Sequence, residues 1–157
     1  MNSGLYSFAL VMHLMGGFLF IAGMVLAGVG FEAGRRRSQP GEVALLLWLA
    51  RIGVLMLVAG TLLVLGFGLW LVHLGGWGYG TGWVSASLGL FFVALALGEV
   101  GGRPLKRARL TAAELAQRGE PLSDEVRELL GDRKLLVANY ISLALMIAII
   151  VLMVVKP

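Results

Sequence analysis

Three ionisable side chains interrupt otherwise uncharged stretches of this sequence: His13, Arg51 and His73. Each is costly to bury where there is no water, so each is a candidate for function. The imidazole at position 13, flanked by Met12 and Met15, offers donors suited to haem iron or to Cu(I). On a helix, however, adjacent residues point about 100° apart, so the string MHLM presents no ready three-ligand face. The other reading of His13 is structural, a neutral ring hydrogen-bonded to a hydroxyl or carbonyl of a neighbouring helix.

Arg51 is either a guanidinium that snorkels to lipid phosphate at an interface or the partner of Glu32, Glu99 or an acidic group on a ligand. His73 would share one haem b with His13 only at a common depth. Helical rise separates the two by roughly 10 Å or more, and His73 reads instead as an interfacial residue beside Trp70 and Trp77. Glu99 is the near-membrane carboxylate able to move a proton, and equally a plain helix-end residue. No HExxH, P-loop or Ser-His-Asp pattern occurs, and there is no Cys, which excludes disulfides and thiolate metal sites. No catalytic residue and no metal set is assigned, and an enzyme is not expected.

The elements that position these residues follow from composition. The chain is 59% hydrophobic and 14% charged, with a mean hydropathy of +0.89. Soluble domains carry roughly 25% charged residues, so this chain has too little polar surface to clothe a water-soluble core. The net charge of +4 does not indicate nucleic acid, because the cations flank apolar runs instead of covering a solvated face. Four runs at about 5–31, 43–74, 82–100 and 135–155 are each long enough to cross a ~30 Å hydrocarbon layer as a helix. No Lys or Arg precedes the first run, which also exceeds the length of a cleaved leader's apolar region.

Charge then sets the threading. The segments 32–42 and 99–134 hold Arg35, Arg36, Arg37, Arg103, Lys106, Arg107, Arg109, Arg118, Arg127, Arg133 and Lys134, nearly all of the chain's 13 Lys and Arg. The positive-inside bias places the loops 32–42 and 101–134 in the cytoplasm and both termini outside. Tyr6, Trp70, Trp77, Tyr79 and Trp83 fall at the outer interface, where amphipathic rings prefer to sit. The turn GGWGYGTG makes the second and third spans antiparallel neighbours.

In the long inner loop, Thr111 with Glu114 forms a capping box for a short helix ending near Gly119, and Ser123 with Asp124 and Glu125 opens another ending near Gly131. Leu110, Leu115, Leu122, Val126, Leu129 and Leu130 form an apolar stripe for the base of the bundle. Arg103, Lys106, Arg107 and Arg109 stand beside the membrane, where cations attract anionic lipid. Small residues four apart (Gly23 and Ala27, Ser85 and Gly89, Ala94 and Gly98, Ala138 and Ser142, Ala144 and Ala148) supply close helix packing, with stripes to spare for a homo-oligomer or a partner subunit.

From His13 onward, HLMGGFLFIAG resembles the first-helix pattern H-L-x-G-x-x-x-W-x-G-G of a bacterial family of four-span integral membrane proteins, with Phe20 and Ala22 standing where the pattern prefers Trp and Gly. TGWVSASLGLFFVALALGEVGGRP is similar to that family's third span, and LMVVKP to its Lys-Pro ending at Lys156 and Pro157. The histidine pattern is also similar to CopD-type copper-resistance proteins and HemJ-type protoporphyrinogen oxidases, which implies metal or haem handling at His13. The expected architecture is all-α, a four-helix transmembrane bundle in one domain, with a short amphipathic cytoplasmic helical loop between helices 3 and 4. The expected role is a non-catalytic module or accessory subunit of the bacterial cytoplasmic membrane. The alternatives are a haem-binding redox protein using His13 and a copper-handling membrane protein.

Overall fold

The computed structural model describes residues 3–155, apart from the side chains of residues 99–102, 135, 136 and 139. The Glu99 side chain and the Lys156-Pro157 ending therefore lie outside the described residues. Five helices and no strand are found among those described: α1 (Ser3–Gly34), α2 (Pro40–Leu74), α3 (Gly82–Arg118), α4 (Asp124–Gly131) and α5 (Arg133–Val155). Three of them, α1, α2 and α3, are long and apolar enough to cross a membrane, and α5 carries a shorter apolar stretch, Tyr140–Val155. Two compact units result, Met1–Ala33 with Leu46–Tyr79, and Gly34–Leu45 with Gly80–Pro157.

In the first unit, α1 and α2 pack through glycines spaced seven apart. A side chain added at Gly23 would stand 2.6 Å from the Gly53 carbonyl oxygen, and one added at Gly53 would stand 2.6 Å from the Gly23 carbonyl oxygen. Gly16 and Gly60 repeat this reciprocal approach one heptad away, at 3.2 and 2.8 Å, and Gly30 faces Leu46 and Ala50. With only hydrogen in the Cβ position, each glycine aims a Cα–H at the opposing carbonyl, a weak hydrogen bond that recurs where helices touch backbone to backbone. The seven-residue period keeps the contact on one stripe of two antiparallel helices. Gly17, Gly28 and Gly66 on the same helices face open space.

Helix α2 ends in a turn that only glycine adopts readily. The Trp77 amide donates to the Val72 carbonyl at 3.1 Å and the Gly76 amide to that of His73 at 3.3 Å, while Gly76 takes φ 70°. This is a Schellman closure, which satisfies carbonyls orphaned at the helix end.

In the second unit the decisive feature is the length of α3. The expected break near residue 100, with a fresh helix starting at the Thr111 capping box, does not occur: Thr111 lies inside a 37-residue helix that ends at Gly119, φ 67°. Residues 105–118, LKRARLTAAELAQR, are rich in strong helix formers, so nothing after Pro104 ends the helix until that glycine. Pro104 itself removes one backbone hydrogen bond, where the sequence passes from apolar to polar. The second expected helix forms as α4, with the Ser123 hydroxyl accepting from the Val126 amide at 3.5 Å.

The stripe on this polar end is realised in part. Leu122, Val126 and Leu130 are buried, as are Ala108 and Ala112 of α3, whereas Leu110 is exposed. Arg107 and Glu125 join α3 to α4, and Gly41, in the first turn of α2, faces Ala116. Along α3 the buried positions are Val84, Ser87, Phe91 and Ala94, and along α5 Ala138, Met146 and Ile149. These two helices pack against each other. Of the small-residue pairs, Gly23 with Ala27 lies in the α1–α2 contact, while Ser85 and Gly89 are exposed. A spacing of four marks a face; which face is used depends on the larger side chains around it.

Candidate functional site

His13 occupies the end of the α1–α2 seam. Gly16, one turn further along α1, is in backbone contact with α2, and the ring reaches across the same gap. Its Nδ1 lies 3.0 Å from the Val64 carbonyl oxygen. A carbonyl only accepts, so Nδ1 carries the proton and donates, and in the neutral ring Nε2 keeps its lone pair. The Val64 carbonyl has a second lone pair for its own helix.

Room for the ring comes from Gly68. A side chain there would stand 3.0 Å from His13 Cε1 and 3.1 Å from Nδ1. The imidazole thus fills the place of a missing side chain on α2. Nearby along the same helices, Phe8 meets Phe67 edge-on with centroids 5.9 Å apart, and Phe67 lies 6.0 Å from Trp70. Aromatic rings therefore lie close along the helices to this polar contact between α1 and α2.

The other candidates do not converge on this point. His73 is exposed; five residues past Gly68, it stands about 7.5 Å further along α2 and about 140° around it. The two histidines consequently do not face a common centre. Arg51 is exposed, two residues and about 200° from Gly53, on the side of α2 turned away from the seam. Met12 is half-buried and Met15 exposed, consistent with their divergent directions on the helix. No group of three or more His, Cys, Asp or Glu able to hold a metal ion occurs among the described residues. Of the four cations expected beside lipid, Arg103, Lys106 and Arg107 are exposed and Arg109 is half-buried.

Val64 and Gly68 were not singled out from the sequence, although a signal was present. Gly16, Gly23 and Gly30 repeat every seven residues, as do Gly53 and Gly60, and aligning the two series antiparallel carries His13 to the level of residue 63, from where a ring leaning toward the N-terminus of α1 meets the turn that follows on α2. A carbonyl partner leaves no mark in sequence, because every residue has one.

Residues 8–157 match the family described as "Predicted integral membrane protein (DUF2269)". No curated protein and no solved structure matches the chain. With its three apolar helices of membrane-crossing length and a match over nearly its whole length, the chain belongs to this family and is a membrane protein.

Proposed function

We propose that the protein is a non-catalytic module of the bacterial cytoplasmic membrane, a four-helix bundle in which α1, α2, the first part of α3 and α5 cross the bilayer, with both termini outside. The observation that carries the non-catalytic part is the engagement of His13 with the Val64 backbone: the imidazole within the apolar run of α1 serves helix contact. The concentration of Lys and Arg in segments 32–42 and 99–134 supports the sidedness. Outward apolar surface is extensive, since only 11% of the most apolar window of α2 is buried, and such surface suits lipid, a second copy or a partner subunit. Reporter fusions at both termini test the threading, and signals from the cytoplasmic side would refute it.

A second reading is favoured by one feature of the same site. Imidazole ligands to metals are commonly held by donating the other ring N–H to a carbonyl or carboxylate, and His13 donates from Nδ1 while Nε2 remains available. Haem b bound through His13 predicts a Soret band in detergent-purified protein that is lost in His13→Ala. Copper handling predicts stoichiometric copper by elemental analysis. A colourless, metal-free sample supports the non-catalytic module.

A further inference from the structure

We propose that Arg51 binds the phosphate of a membrane lipid and so fixes one boundary of the hydrocarbon layer about three turns into α2, well past the point where the apolar run of that helix begins. The inference rests on the reading of α2 as a membrane span.

Burial along α2 changes character at this residue. From Arg51 to Trp70 the buried positions of α2 are Gly53 and Gly60 alone, whereas Val43, Leu47 and Ala50 are buried before this stretch and Leu71 and Val72 after it. Glycine contact is the way helices meet in lipid, and burial of larger apolar side chains gains most where the alternative is water. The stretch from Arg51 to Trp70 holds 20 residues. At helical rise that is about 30 Å, the thickness of a hydrocarbon layer. The turns before Arg51 are thus apolar without being needed to cross. They also begin in polar company, since Gly41 faces Ala116, within the polar part of α3.

Arg51 itself is exposed, and Trp48, Leu55 and Leu62, which share its face of the helix, are exposed as well. No carboxylate among the described residues is within ion-pairing distance of it. A guanidinium on a lipid-facing side is too costly to leave in hydrocarbon and extends to the headgroups, where its fork of donors matches the oxygens of a phosphate. Trp48, one turn nearer the N-terminus, then falls in the headgroup layer that indole rings prefer, while Leu55 and Leu62 face acyl chains. An anion bound beside such an apolar flank is one that brings hydrocarbon with it, which selects a lipid over free phosphate.

The test uses the full chain in phosphatidylcholine nanodiscs, with Trp48 left as the sole tryptophan by Trp70→Phe, Trp77→Phe and Trp83→Phe. Its fluorescence is quenched by methyl stearate carrying a nitroxide near either the ester or the methyl end. Trp48 should respond to the shallow nitroxide, and Leu62→Trp, in the same background with Trp48→Phe, to the deep one. Arg51→Leu should let the boundary move toward Val43 by about 5 Å, one helical turn, so that Trp48 is quenched from deeper in the layer, while Arg51→Lys should keep most of the original depth. In nanodiscs of digalactosyldiacylglycerol, which offers hydroxyls and no phosphate, the difference between Arg51 and Arg51→Leu should largely disappear. Unchanged quenching of Trp48 in Arg51→Leu, or an equal difference in both lipids, overturns the phosphate site and leaves α2 a span. A shift of the same size in Glu99→Gln would assign Arg51 to that carboxylate and overturn the site too. If neither Trp48 nor Leu62→Trp is quenched, this face of α2 does not meet lipid, and span and site fall together.

Discussion

The hairpin of α1 and α2 and the polar end of α3 hold themselves together by opposite means. In the hairpin, glycines at 16, 23, 53 and 60 let two apolar helices meet backbone to backbone. At the polar end of α3, Leu122, Val126 and Leu130 are buried together with Ala108 and Ala112, under a Ser123 cap and an Arg107–Glu125 pair. The first is how helices associate where the surroundings are as apolar as leucine and burial of side chains gains little. The second is how they associate in water, where removing leucine and valine from solvent supplies the driving force. Within one chain the sequence passes from apolar to polar, and the packing chemistry changes with it.

The sharpest way to break this contrast is to put a side chain into the seam. Gly53→Leu must push α1 away from α2, since even a Cβ would stand 2.5 Å from the Ala27 amide nitrogen; the expected loss is about 3 kcal/mol or more, read by thermal unfolding in detergent. Leu130→Ala in the second unit should cost about 2–3 kcal/mol and open the 119–132 segment to limited proteolysis while leaving the hairpin intact. If Leu130→Ala unfolded α1 and α2 to the same extent, the two packing modes would not be separable.

His13→Ala removes one hydrogen bond without orphaning its carbonyl and should cost about 1 kcal/mol in the same melt; a larger loss would mean that the ring carries more than this contact. The smallest effects are expected away from both interfaces. Gly17→Ala, in open space one residue from Gly16, should change stability by under about 0.5 kcal/mol. Glu125→Gln, whose pair with Arg107 is well exposed, should lose a similar amount, and that loss should vanish at high salt.

Much of the fold was legible because it rests on long-range composition. Uncharged runs with cations at their ends mark helices whatever packs on them, and α1, α2 and α5 begin and end within a few residues of those runs. The continuity of α3 was not legible, because Thr111 and Glu114 make as good a helix start as they do a helix interior. The choice depends on whether the preceding residues are already helical. At the candidate site, His13 stood out as a polar residue in an apolar run, but its partner did not, since backbone carbonyls and vacant Cβ positions become visible only when two helices are brought together. The same holds for the Arg107–Glu125 pair, which is decided by how α4 folds back on α3, whereas Glu114 and Arg118 stand four apart on one helix, a spacing that allows their pair by itself.

Helix α3, unbroken from Gly82 to Arg118, would measure about 55 Å at ideal rise, close to twice a hydrocarbon layer of ~30 Å. On the proposed threading it is, apart from some give at Pro104, a single stiff shaft with one end among acyl chains and the other in the aqueous phase. A twist or a tug applied at Arg118 would be delivered, with little loss, to the residues around Phe91.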